Sequence, residues 1–325
     1  KKLFLGLFVI VVFLIAGTYI FYAFPFDMGK RVVSVVVKPG DSFSVVADTL
    51  VARKVIHGKP LLKAVARWMH LDRSLTPGRY DFTGKNSIAT VLAKLARADF
   101  VRVKLTVYEG APIWKTAEIL SRALHTDSAA LVALNHDSAF LARLDLPCLE
   151  GYLFPQTYFL AWGTPLETAV EAMVAMFHQQ TDSLLNGPLP GNLTREQVVT
   201  LASIIQAEAL LPEEMPVISS VYHNRLRRGM KLQADPTVLY GLGDPERPLS
   251  RRDLRTDTPY NTYLHKGLPP TPINSPGLAA IQAALRPDST SYLYFVADGT
   301  GHHVFSRTNA EHNRARRRIR RAAHR

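Results

Sequence analysis

The chain has 325 residues, of which 39 are Lys or Arg and 27 Asp or Glu, giving a net charge of +12, and 47% of its side chains are apolar. That length admits about two domains with cores of their own, and the apolar share excludes a disordered polymer. One cysteine, Cys148, excludes an internal disulfide and any thiolate zinc cluster.

From the amino end, Leu3 to Tyr22 are twenty positions without a charged side chain. They make about 30 Å of helix, the thickness of a bilayer's hydrocarbon core. The spacing predicts a membrane anchor over residues 1–24, with Tyr19, Tyr22 and Phe24 as an interfacial belt. A cleaved signal peptide fits less well, because the apolar run is long and no small-x-small site follows it. Lys1 and Lys2 before the span and Lys30 and Arg31 after it give a weak charge bias. Long following domains cross largely regardless of charge, so the expected topology is amino end inside, remainder outside. With no initiator Met, upstream residues are expected.

Residues 25–31 read as a linker and 32–100 as a small α+β domain. Arg31 to Val37 is β-branched, Pro39-Gly40-Asp41 turns, and Phe43 to Leu50 has helical apolar spacing. Val37, Gly40, Ala47 and Leu50 are matched seventy positions later by Val107, Gly110, Ala117 and Leu120. The repeat is short enough to be the common grammar of a strand, a turn and a helix. Residues 101–313 read as a larger mixed α+β domain, with a helical middle from 113 to 228 broken by a loop at Asn186-Gly187-Pro188 and Pro190-Gly191. Residues 314–325 hold seven arginines and no acid. With Lys1 and Lys2 they leave only +3 for everything else, so the basic balance belongs to the tail. Nucleic-acid binding loses its support. The tail reads as a solvated, disordered end whose removal should leave activity intact.

The segment Thr194 to Leu211 is the most informative. Thr194 with Gln197 matches a capping box, and Pro212 stops the run. Val198, Leu201, Ile204, Ile205 and Ala209 share one face, with Glu208 inside that stripe and Gln206 to one side. A carboxyl placed there either pairs with a cation or sits in a semi-apolar cleft with a raised pKa. The second state is what a general acid needs near neutral pH. On pattern alone both readings stay open.

Downstream, turn-rich loops carry amides and tyrosines, the equipment for bonding and stacking on sugars. His302, His303 and His312 lack helical ligand spacing and read as ordinary polar residues, with His302 or His303 able to border a cleft. Gly241-Leu242-Gly243 and Gly299-Thr300-Gly301 lack the context of a phosphate loop. Cys148 reads as a small buried apolar residue. No metal or cofactor is expected.

Five motifs stand in one order. They are Leu149-Glu150-Gly151-Tyr152-Leu153-Phe154-Pro155, Ala202-Ser203-Ile204-Ile205-Gln206-Ala207-Glu208-Ala209, Leu232-Gln233-Ala234-Asp235-Pro236-Thr237, Tyr260-Asn261-Thr262-Tyr263 and Gly267-Leu268-Pro269-Pro270. With them the sequence resembles the endolytic murein transglycosylases, the MltG or YceG-like family, from about Val32 to Asn313. The resemblance implies a single-pass inner-membrane protein with a LysM-like subdomain and a periplasmic catalytic domain. It also implies cleavage of the MurNAc–GlcNAc β-1,4 bond of nascent peptidoglycan to leave 1,6-anhydro-MurNAc ends. The partners it implies are glycan strands and the peptidoglycan synthases.

The family's catalytic glutamate falls on Glu208. Gln206 and Gln156 stand where acids are common in the family, so neither receives a catalytic role. By resemblance and polarity, Gln233, Asn261 and Tyr263 are candidates for holding sugar hydroxyls and acetamides, followed by Tyr260 and Asp235. Asp235 before Pro236 is as well explained as a turn or cap, and Glu150 as a structural residue. Two alternatives remain at this point: a glycan hydrolase releasing reducing ends, and a non-catalytic glycan-binding scaffold.

Overall fold

The computed structural model describes Val12 and residues 16–71, 75–243 and 247–323. The predicted membrane span lies largely outside the described residues; its end forms helix α1 over 16–23. Among the described residues no helix is long and apolar enough to cross a membrane.

The chain folds as mixed α+β in two units, one of residues 1–104 with 159–164 and one of 105–158 with 165–325. In the first unit β2 (Val33–Val37) pairs antiparallel with β3 (Gly78–Phe82), Val35 opposite Tyr80. Val33, Val35 and Val37 point inward at every second position, as strand geometry requires. Helices α2 (Phe43–Ala52), α3 (Lys59–Trp68) and α4 (Ile88–Ala96) close the core through Val46, Leu50, Leu62 and Leu92. A short pair, β1 (Phe26–Asp27) with β4 (Lys85–Asn86), lies antiparallel. The segment 159–164 joins this unit through the Trp162 amide on the Val101 carbonyl and the Arg79 guanidinium over the Trp162 ring.

The seventy-residue echo has a structural counterpart. Gly40 and Gly110 both have φ near +80° (84° and 80°), and Val37 and Val107, Ala47 and Ala117, and Leu50 and Leu120 are all buried. The second copy runs from β5 (Arg102–Thr106) into α5 (Ile113–Leu124).

The larger unit is helical in its middle: α5, α6 (Ser128–Leu134), α7 (Ser138–Leu144), α8 (Leu166–Leu185), α9 (Arg195–Glu208) and α10 (Met215–Arg227). One strand interrupts them, β6 (Thr157–Ala161), paired with β5. Helix α9 is central. Val198 to Ile205 are buried at eight consecutive positions, so the predicted single apolar face is in fact apolar and small all round, the signature of an enclosed helix. Helix α12 (Leu278–Leu285) packs along it, and α8, α10 and α11 (Asp235–Gly241) flank the pair.

The carboxyl-terminal part departs from expectation. Part of the downstream stretch read as turn-rich loops forms a hairpin of β7 (Tyr294–Ala297) and β8 (His303–Ser306), and α13 (Asn309–Ala323) packs on it. The predicted disordered tail is therefore helical to Ala323. Its first turn is held by Glu311, which accepts from the Arg307 and Thr308 amides while its own amide donates to Thr308 Oγ1, and Ala315 is its buried anchor.

Candidate active site

The site is built on the end of α9. Its start is as predicted: Thr194 accepts from the Gln197 amide, and Gln197 accepts from the Thr194 amide. Its end is not. Ala209 is already extended (φ −86°, ψ 122°), so the helix stops at Glu208 rather than running to Leu211. Glu208 thus sits at the negative end of the helix dipole, which disfavours its ionised form.

Loops are pinned along α9 by polar side chains on the helix itself. Ser203 Oγ accepts from the Ile273 amide, the Ser203 carbonyl accepts from Asn274, and Gln206 Oε1 accepts from the Gly277 amide. Helix α10 supplies the opposite wall. Asn224 Nδ2 donates to the Thr290 and Tyr292 carbonyls, and Arg225 donates to the Leu293 and Leu232 carbonyls at 2.6 and 2.7 Å. Loops 230–235 and 288–294 are thereby fixed around one cleft of about 510 Å³.

Glu208 lines this cleft with Tyr222, Arg225, Gln233, Asp235, Tyr263, Tyr294, His303, His312 and Arg316. The Tyr222 hydroxyl donates to Glu208 Oε1 at 2.9 Å. Burial pushes the Glu208 carboxyl up to about 7; Tyr222 opposes this, Asp235 adds to it and Arg225 again opposes. Near neutral pH the group is poised between acid and carboxylate. Asp235 accepts from the Tyr263 hydroxyl at 2.5 Å, with no capping bond to α11. His303, on another wall, is held by Glu214, which accepts from the His303 amide at 3.0 Å and pairs with His303 Nδ1 at 2.6 Å.

The same fold is found in a crystal structure of a yceG-like protein of Listeria monocytogenes, which matches with a TM-score of 0.60 and 29% identity over 88% of this chain and 99% of that one. The family model described as YceG-like matches residues 35–318. The chain belongs to the YceG-like family. It is similar to the endolytic murein transglycosylase of Bacillus subtilis, 31% identical over 88% of this chain and 84% of the relative. It is also similar to that of Streptococcus pneumoniae, 27% identical, where the match spans 96% of this chain and 64% of the relative.

Of the residues singled out in sequence, the structure brings Glu208, Gln233, Asp235 and Tyr263 to the cleft. Asn261 does not join them. It is fully buried, its amide donates to the Asp253, Leu254 and Thr256 carbonyls, and its Oδ1 accepts from the Tyr263 amide. It shapes the loop that presents Tyr263. Tyr260 is likewise placed elsewhere, hydrogen-bonded to Thr271 and packed on Tyr240 at 4.9 Å. Glu150 is a buried structural carboxyl that accepts from the Ile113 amide and the Tyr240 hydroxyl. Cys148 is buried and its thiol is pushed up to about 12, so it is no nucleophile.

His303 borders the cleft, as expected of it or His302; Tyr222, Arg225 and the pairing of His303 with Glu214 were not foreseen in sequence. Tyr222 and Arg225 stand three apart on α10, a same-face spacing legible in sequence, but nothing local says that this face meets Glu208. Arg316 is a correction: it comes from the tail assigned no role. Among the described residues no group of three or more His, Cys, Asp or Glu side chains is arranged to hold a metal ion.

Proposed function

We propose that this protein is an endolytic murein transglycosylase that cuts the MurNAc–GlcNAc β-1,4 bond of nascent glycan strands and leaves 1,6-anhydro-MurNAc ends. The observation that carries the reading is the Glu208 carboxyl, half-buried on the wall of a cleft with its pKa raised to about 7 and a tyrosine hydroxyl on one oxygen. The name borne by the curated relatives supports the class of reaction.

Protonated Glu208 donates to the glycosidic oxygen as positive charge develops at C1. The carboxylate so formed takes the proton of the sugar's own C6 hydroxyl, whose oxygen attacks C1 and closes the anhydro ring. The Tyr222 hydroxyl steadies that transient carboxylate. One residue serves as acid and then base, and the intramolecular attack gains from proximity. This differs from glycosidases that use one carboxyl as acid and a second for water or nucleophilic attack. Gln233 and Tyr263 on the cleft wall hold sugar hydroxyls and acetamides, and Asp235 orients the Tyr263 hydroxyl.

The hydrolytic alternative has one observation in its favour, the second carboxyl of Asp235 in the same cleft. Products separate the two, because anhydro ends are one water lighter than reducing ends. In Glu208→Gln, cleavage of purified strands should fall roughly 10²–10⁴-fold with the fold intact. Undiminished anhydro products would exclude Glu208 as the acid.

The reading extends to location. Residues Leu3 to Tyr22 would anchor the protein in the inner membrane, amino end inside, and the 32–100 domain would act as a LysM-like glycan-binding element, near the peptidoglycan synthases that supply its substrate. A reporter fused after Arg325 should be active only on the periplasmic side.

A further inference from the structure

We propose that Arg225 and Arg316 form a carboxylate-binding subsite on the wall of the Glu208 cleft, holding an anionic group carried by the glycan's lactyl or peptide substituents. The proposal rests on the peptidoglycan reading above and extends it to a specific charge on the substrate.

Arg225 is an unusual cation. It is only 7% exposed, and its recorded acceptors are all neutral: backbone carbonyls at Leu293, Leu232 and Lys231, and the Gln233 side chain. Among the described residues no carboxylate lies within ion-pair distance of it, and its Nη2 has no acceptor. A buried cation without a counter-charge is strongly disfavoured, and carbonyl acceptors relieve only part of that. Its guanidinium lies 5.1 Å from the centre of the Tyr294 ring, and that ring stacks on His312 at 5.5 Å. His312 is held below the usual histidine range by burial, then by Arg316 and Arg225.

Arg316 stands one helical turn after His312 on α13, borders the same cleft, and likewise lacks an acidic partner among the described residues. The acids that could neutralise the two arginines are engaged elsewhere. Asp235 is held by Tyr263, Glu214 by His303, and Glu311 by the amides of its own helix start. Glu208 is largely protonated below about pH 7. With Glu208 protonated, the two arginines face one further carboxyl in the cleft lining, Asp235, and positive charge is in excess there.

A neutral sugar chain offers such a wall hydroxyl and acetamide acceptors but no counter-charge. The anions of peptidoglycan are carboxylates, either the free lactyl group of MurNAc after its peptide is removed or the carboxyls of the peptide itself. Guanidinium forks match that planar geometry.

The test measures strand binding by the full chain carrying Glu208→Gln, with and without Arg316→Gln. Three ligands are compared: peptide-bearing strands, amidase-stripped strands with free lactyl carboxylates, and strands with all carboxyls converted to neutral methylamides. Arg316 is exposed on a helix surface, so its substitution should leave the fold intact. Arg316→Gln should weaken binding of the carboxylate-bearing strand about tenfold, and that of the neutralised strand by less than twofold. The ligand that shows the loss identifies the source of the carboxylate. Equal weakening on all three strands, or no weakening on any, overturns the subsite. Turnover by the parent is scored separately, so absence of anhydro products would refute the activity without deciding the binding result.

Discussion

Glu208 owes its chemistry to three features that act in the same direction: burial, the nearby Asp235 charge, and a place on the last residue of a helix. Tyr222 acts against them by donating to the carboxylate. These signs give paired predictions for the pH profile of kcat/KM. The parent should lose activity as pH rises through about 7, where Glu208 ionises. Tyr222→Phe removes a group that favours the carboxylate, so the alkaline limb should move up while the rate at the optimum falls about tenfold. Asp235→Asn removes a neighbouring negative charge, so the limb should move down. Shifts of the same sign in both variants would contradict this account of the Glu208 environment. The carboxyl stood out in sequence because it interrupts an apolar run, but only the family resemblance chose the catalytic reading over a structural one. Its partner on α10 was not legible, since only tertiary packing brings Tyr222 across.

At the scale of elements, local signals set beginnings better than ends. The Thr194–Gln197 box fixes the start of α9, and Thr194→Ala should cost about 1 kcal/mol in urea unfolding. No comparable signal marks its end, where Ala209 turns extended before the prolyl stop at Pro212 is reached. The turn at Gly151 is more demanding. Its φ is +88°, and an added Cβ would lie 2.5 Å from Pro272 and 3.2 Å from Val199, which belongs to α9. Gly151→Ala should therefore destabilise by about 2–4 kcal/mol, through strain and overpacking together. A melting temperature within a degree of the parent would contradict it. The hairpin and α13 were misread because alternation over β7 is short and six arginines along α13 resemble a solvated tail. A turn signal was present in Asp298-Gly299-Thr300-Gly301, where Asp298 accepts from the Thr300 amide and hydroxyl. The small apolar anchor of α13, Ala315, is invisible against that charge.

Across the whole molecule, two desolvated carboxyls, the buried Glu150 and the half-buried Glu208, make stability depend on pH. Glu150 and Glu208 are both pushed up by burial to about 7, from an ordinary value of 4.5. Each folded-state pKa is raised, so the contribution is fully present below about pH 4.5 and is lost as pH rises through 7. Glu150→Gln keeps an oxygen to accept from Ile113 and Tyr240 but carries no charge. Relative to the parent, that variant should gain about 2 kcal/mol between pH 5 and pH 8 in urea unfolding. A constant difference between the two proteins would refute ionisation at Glu150. The mixed α+β class was readable from composition and alternation, as was the location of excess charge. That the charged end would fold against the β7–β8 hairpin was not, because its small buried anchor, Ala315, is hidden among arginines.

The segment 159–164 belongs to the first unit although the chain has by then begun the second. That order constrains how the protein is made. The first unit cannot be completed when Lys104 leaves the ribosome; its last piece emerges roughly 60 residues later, a delay of several seconds at ordinary synthesis rates. During that interval β5 waits for its neighbour, and the Val101 carbonyl and the Arg79 side chain wait for Trp162. Nascent chains halted at lengths that hold Trp162 inside the exit tunnel, and at lengths that release it, should show protease resistance of the first unit rising only in the released set.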